Sequence, residues 1–175
     1  LTLTVHPSID LSMNTTQYTA TVGKFFNIDI MHEQMPPSEN YKYILNNAPE
    51  NMRINTTGSI NWIPLLTQVD NNNFDIEVTD SIAFTRLQYN IYVNSPPVIS
   101  LRPPKIFILQ KEEKLNFTLK SFDLNNNTKL KWKLLSGPIE MTLSQQGDLQ
   151  WNGNELGHHP YEIQLSDGID SVQWK

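Results

Sequence analysis

Asp123, Asn125 and Asn127 set a carboxylate and two amides at alternate positions of Asp123-Leu-Asn-Asn-Asn127. Calcium is held by a shell of carboxylate, amide and backbone oxygens, so this segment is a candidate Ca²⁺ site. It lacks the glycine and the distal glutamate that complete an EF-hand loop, and an Asn-rich turn is the stronger expectation. Ca²⁺ is the one cofactor the sequence raises. Four Asn-x-Ser/Thr acceptors for N-linked glycan lie at Asn14, Asn55, Asn116 and Asn126, usable only in a chain that passes through a glycosylating secretory route. Asn116 falls inside an alternating apolar run, with its side chain expected towards solvent. His158 and His159 are adjacent, so on extended backbone they point to opposite sides and chelate poorly together. Surface histidines are expected there. The tryptophans Trp62, Trp132, Trp151 and Trp174 invite a sugar-stacking reading, but core packing is the stronger expectation for those that recur by position. The sequence has no Gly-x-Ser-x-Gly, no phosphate loop and no His-Glu-x-x-His. No catalytic residue is assigned, and an enzyme is not expected.

The elements that must position these residues come in two copies. Tyr41-Lys-Tyr-Ile-Leu45, Gly58-Ser-Ile-Asn-Trp62 and Phe74-Asp-Ile-Glu-Val-Thr-Asp80 recur as Leu130-Lys-Trp-Lys-Leu134, Gly147-Asp-Leu-Gln-Trp151 and Tyr161-Glu-Ile-Gln-Leu-Ser-Asp167. The pairs Tyr43/Trp132, Gly58/Gly147 and Trp62/Trp151 are each 89 residues apart. Phe74/Tyr161 and Asp80/Asp167 are 87 apart, which places a two-residue deletion in a loop between them. Such a period is too long for a solenoid unit and suits two tandem β-sandwiches. At this offset Gln34 opposes Asp123, so the oxygen cluster is not duplicated. The recurring Asp80 and Asp167 are expected to cap backbone amides in a turn.

Period-two alternation dominates within each copy. Phe26, Ile28 and Ile30 match Leu115, Phe117 and Leu119. Phe74, Ile76 and Val78 match Tyr161, Ile163 and Leu165, and Leu87, Tyr89, Ile91 and Val93 make one face of a long strand. One apolar and one polar face is the pattern of an antiparallel sandwich. Lys111-Glu-Glu-Lys114 is expected to be a charged turn. The fold class is therefore all-β: two tandem antiparallel β-sandwiches with a Pro-rich junction, Asn94-Ser-Pro-Pro-Val-Ile-Ser-Leu-Arg-Pro-Pro104, expected to be extended and semi-rigid. Val98, Ile99 and Leu101 should tuck against a sandwich or form a short edge strand. Leu1-Thr-Leu-Thr-Val5 matches Tyr89-Asn-Ile-Tyr-Val93, and Trp174 matches Leu87. The expected division is residues 1–6 as the last strand of a preceding repeat, 7–95 as repeat 1, and 96–175 as repeat 2 without its final strand, the whole an excerpt of a longer array. The alternatives are a complete protein with a stray first strand, and Leu1–Val5 completing the sheet of the last repeat in a neighbouring chain.

Composition narrows the partners. The net charge is −5 and the pI about 5.3, so nucleic acid is not an expected partner. Charged residues make up 18%, below the usual ~25%, and Asn, Thr, Ser and Gln supply the polarity instead. Absence of cysteine removes thiolate metal sites and disulfide support. No apolar run approaches the ~20 residues of a membrane span, so membrane insertion of this segment is not expected.

The order Gly58-Ser-Ile60-Asn-Trp62-Ile-Pro64, then Val78-Thr-Asp80, then a long strand before Pro-Pro, resembles cadherin-like repeats. It is most similar to the dystroglycan-type cadherin-like domains and to the putative Ig-like domains of microbial surface proteins. Val22-Gly-Lys-Phe-Phe26 and Pro49-Glu-Asn-Met52-Arg-Ile54 fit the same pattern, as does Ser166-Asp-Gly168. Gly153, where Pro64 has its counterpart, departs from it. The linker holds no acidic residue, so the Ca²⁺-binding junction of cadherin arrays is not expected. The resemblance implies a structural or adhesive segment of a large extracellular or surface protein, acting as spacer and contact module. Its partners would be neighbouring repeats, other protein domains, copies of itself, or a glycan. The alternatives are a filament or virion-fibre subunit using strand exchange, and a binding accessory domain of a secreted enzyme.

Overall fold

A computed structural model describes residues 17–30, 41–80, 83–126 and 128–175. The chain divides into two units after Asn94. The described residues are all-β apart from a 3₁₀ turn at Leu66–Gln68.

Unit 1 holds strands β1 (Tyr18–Thr21), β2 (Phe26–Asp29), β3 (Lys42–Asn46), β4 (Arg53–Ile54), β5 (Ser59–Trp62), β6 (Asp70–Thr79) and β7 (Phe84–Asn94). They form one sheet in the order β1-β7-β6-β3 and a second in the order β2-β5-β4. The alternation read from the sequence selects the inner faces. Phe74, Ile76 and Val78 on β6 and Leu87, Ile91 and Val93 on β7 are buried, and meet Ile28, Ile60 and Trp62 of the facing sheet in one core. The long β6–β7 ladder runs from Asp70↔Val93 to Thr79↔Phe84. β1 adds to the other side of β7 in parallel, from Tyr18↔Ile91 to Thr21↔Asn94. That parallel strand was not among those read from the sequence, although Tyr18, Ala20 and Val22 alternate.

Unit 2 repeats the plan with shorter strands: β8 (Val98–Leu101), β9 (Lys114–Thr118), β10 (Lys120–Phe122), β11 (Lys131–Ser136), β12 (Thr142–Leu143), β13 (Asp148–Asn152), β14 (Glu162–Ser166) and β15 (Ser171–Trp174). Sheets β11-β14-β15 and β12-β13-β9 face each other, and β8 pairs with β10. Val98, Ile99 and Leu101 thus belong to a short strand. Ile163, Leu165 and Trp132 centre one apolar cluster, and Leu115, Met141 and Leu149 a second; Phe117 and Tyr161 pack against both.

The duplication extends to single backbone bonds. Gly58 N–H donates to Asn55 O and Ile30 N–H to Gly58 O; Gly147 N–H donates to Ser144 O and Leu119 N–H to Gly147 O. The side chain that holds this turn changes identity but not role. Asn55 Oδ1 accepts from the amides of Thr57 and Ser59, and Ser144 Oγ accepts from those of Gln146 and Asp148. Gly58 and Gly147 sit at φ +82° and +92°, a region a side chain enters only at a cost.

Candidate functional site

Asp123 accepts through Oδ1 from the Asn125 amide at 2.8 Å, closing an Asx turn. Asn125 is buried and its Oδ1 accepts from Ser95 N–H at 2.7 Å. Both oxygens therefore serve backbone donors within unit 2, and Asn127 lies outside the described residues. Among the described residues no group of three or more His, Asp or Glu side chains is placed to hold a metal.

Of the glycan acceptors, Asn55 is exposed at the β4–β5 turn, Asn116 is exposed on β9, and Asn126 is exposed beyond β10. Asn55 uses only its carbonyl oxygen in the turn, and glycan attachment takes place at the nitrogen. Asn14 lies outside the described residues.

Asp80 and Asp167 occupy the same turn in the two units. Asp80 Oδ1 accepts from Ala83 N–H at 2.8 Å. Asp167 Oδ1 accepts from Asp170 N–H at 2.6 Å and from Ile169 N–H at 2.7 Å. The preceding hydroxyls, Thr79 Oγ1 and Ser166 Oγ, donate to the carbonyls of Ala83 and Asp170. These aspartates are turn caps.

The tryptophans divide. Trp62 and Trp132 are buried at 1% and 4% exposure. Trp62 Nε1 donates to Glu50 O and Trp151 Nε1 to Ile139 O, the same bond in both units. Yet Trp151 is only half-buried, where its counterpart Trp62 is wholly covered. Trp174 is half-buried at the end of β15, with the Arg102 guanidinium 5.1 Å from its ring centre.

Trp151 lies in a cleft of about 160 Å³ in unit 2, between the segments 105–111 and 155–161. Leu115, Met141 and Trp151 line it, with Phe107 and Leu109 on one flank and His159 and Tyr161 on the other. The His159 ring stands 4.9 Å from that of Trp151, and its Nε2 is 3.1 Å from Glu155 O. His158 is exposed beside it. Burial raises the Tyr161 phenol above its ordinary pKa, so the wall of the cleft is uncharged there. Sequence reading missed this cleft, because each of its residues looks ordinary alone. The signal that finds it is the mismatch between the two copies of one structure.

No protein-family model matches the chain, and no curated protein matches it. Solved structures do. Extracellular domains 3–5 of Drosophila OTK align over 90% of this chain and 57% of that one, at 8% identity and a TM-score of 0.61. The titin I-band fragment I67–I69 aligns over 90% and 60%, at 9% identity and a TM-score of 0.53. The insect immune protein hemolin aligns over 91% and 44%, at 15% identity and a TM-score of 0.51. The chain spans less than two thirds of each. At such identities the likeness shows the fold: tandem Ig-like sandwiches.

Proposed function

We propose that the two sandwiches form a non-catalytic structural and adhesive segment of an extracellular or surface-displayed protein, a spacer that withstands tension and offers contact surfaces. The observation that supports this most directly is the parallel pairing of β1 with β7. β1 is the first described strand of unit 1 and β7 the last. Tension drawn along the chain pulls β1 towards its N-terminus and β7 towards its C-terminus. Parallel neighbours pulled this way slide past each other, so the rungs from Tyr18↔Ile91 to Thr21↔Asn94 load together. An antiparallel hairpin pulled at its open end loads one rung at a time. The Val22 N–H, 2.8 Å from Asn94 O, extends the resisting ladder.

The resemblance to cadherin-like and Ig-like repeats supports the contact role. So does a surface polar in Asn, Thr, Ser and Gln rather than charged. The exposed acceptors Asn55, Asn116 and Asn126 suit a chain that carries glycan outside the cell. Its partners in this reading are adjoining repeats and other protein domains.

Single-molecule extension tests the mechanical part. Val22→Pro deletes the donor to Asn94 O and trims only the margin of the core, against which Val22 packs half-buried. The expected result is a lower unfolding force for unit 1 with unit 2 unchanged. Extension of the unmodified chain without any force peak would overturn the spacer reading.

A further inference from the structure

We propose that the outer face of the β11-β14-β15 sheet of unit 2 binds an acidic polysaccharide, a linear glycan bearing carboxylate or sulfate groups. This goes beyond the spacer reading and does not depend on it.

The strand period builds the face. Leu130, Trp132 and Leu134 turn inward and pack in the unit 2 core. Lys129, Lys131 and Lys133 therefore share the opposite side, and all three are exposed. Alternate residues of a strand are about 7 Å apart, so the lysines make a row of cations along the sheet edge. Among the described residues none of the three makes an ion pair. Next to the row, Ser166 and Ser171 lie in line with Lys131, and Gln164 and Gln173 in line with Lys133. Gln164 Nε2 donates to Ser171 Oγ at 3.1 Å, which holds that amide in place. Carboxylates of these strands and their turn stand at the margins. Glu162 is paired with Lys175 at 3.1 Å, and Asp167 and Asp170 lie in the β14–β15 turn, where Asp167 caps backbone amides.

Unit 1 supplies the control. The same two rows there are Lys42-Thr79-Phe84 and Ile44-Glu77-Arg86. Glu77 and Arg86 neutralise each other at 3.3 Å. The places of Ile44, Glu77 and Arg86 are taken in unit 2 by Lys133, Gln164 and Gln173, and that of Asn40 by Lys129. The second copy thus gains lysines and loses the acid that would pair with them. Lysines on an edge strand also deter pairing between sheet edges. Yet β3 and β11 are the same edge of the two units, and β3 carries Ile44 where β11 has Lys133. Edge protection therefore does not require the full row, nor the loss of the acid beside it.

The chemistry of the face selects the ligand. Unpaired ammonium groups donate to carboxylate or sulfate oxygens. The amides and hydroxyls next to them can donate to and accept from sugar hydroxyls. The aromatic residues of these three strands, Trp132 and Trp174, pack in the core, so the face presents no ring on which a nucleic-acid base would stack.

Affinity electrophoresis of the folded chain tests this, in gels holding alginate, dextran sulfate or uncharged dextran. The expected result is retardation by at least one of the two acidic polymers, none by dextran, and release as salt rises. Lys131→Gln combined with Lys133→Gln should weaken binding about tenfold. Gln164→Glu removes no lysine but restores the acid of unit 1, and should weaken binding as well. Lys114→Gln combined with Lys120→Gln, an equal loss of charge on β9 and β10, should leave the retardation in place. No retardation by either acidic polymer would overturn the proposal. So would retardation that survives the Lys131 and Lys133 changes, or that falls equally with those at Lys114 and Lys120. Equal binding of a single-stranded DNA oligonucleotide or of phosphatidylserine vesicles would overturn it too, since the face would then read charge alone.

Discussion

Two glycines show how much of each unit rests on one backbone position. A Cβ on Gly147 would stand 2.8 Å from the Leu119 carbonyl oxygen, a backbone atom that cannot move without breaking the β9 edge. A Cβ on Gly58 would meet the Tyr43 ring at 3.0 Å, a side chain that can yield. Both positions also carry the cost of a left-handed residue, roughly 1–2 kcal/mol. Gly147→Ala should therefore destabilise unit 2 more than Gly58→Ala destabilises unit 1, as read by urea denaturation of each variant. Tyr89 gives a second test. Burial, then the neighbouring Tyr18 phenol, pushes its pKa up to about 12. The folded unit holds that proton after the unfolded chain has released it near pH 10. Stability from this group is complete below pH 10 and falls as pH rises from about 10 towards 12. Tyr89→Phe should flatten that decline, measured as denaturation midpoints at pH 9 and 11.

At the scale of elements, the sequence was informative wherever an inner face alternates. Phe74, Ile76 and Val78 and their counterparts Tyr161, Ile163 and Leu165 line inner faces because strand periodicity puts them there. The aspartate caps were legible from recurrence, since a turn needs the same acceptor in both copies. The parallel partner of β7 was not legible, because pairing between distant strands depends on packing that no local pattern records. Nor was the partner of Asn125: the expected Asn-rich turn is there, but nothing local shows that its amide oxygen accepts from Ser95 N–H, 30 residues away in sequence. Each unit has its own core, so each should unfold on its own. Unit 2 has the shorter ladders and a half-buried Trp151 where unit 1 buries Trp62. Two denaturation transitions are expected, the first from unit 2. Leu149 and Ile76 are both fully buried. Leu149→Ala should lower only the first transition and Ile76→Ala only the second, each by roughly 2–5 kcal/mol.

For the whole molecule, duplication is the organising fact. One sandwich plan appears twice, down to single bonds of the turns at Gly58 and Gly147. In the proposed reading, unit 1 resists shear through the parallel pairing of β1 with β7. The exposed glycan acceptors Asn55, Asn116 and Asn126 belong to the same proposal, a segment working outside cells, and stand or fall with it.

The most direct measurement is the force–extension trace of the unmodified chain pulled from its two ends. Two unfolding events are expected, the weaker from unit 2. The stronger should come from unit 1, release roughly 25 nm of chain and weaken selectively in Val22→Pro. A trace in which unit 1 yields at or below the force of unit 2 would contradict the claim that its parallel ladder exists to bear tension.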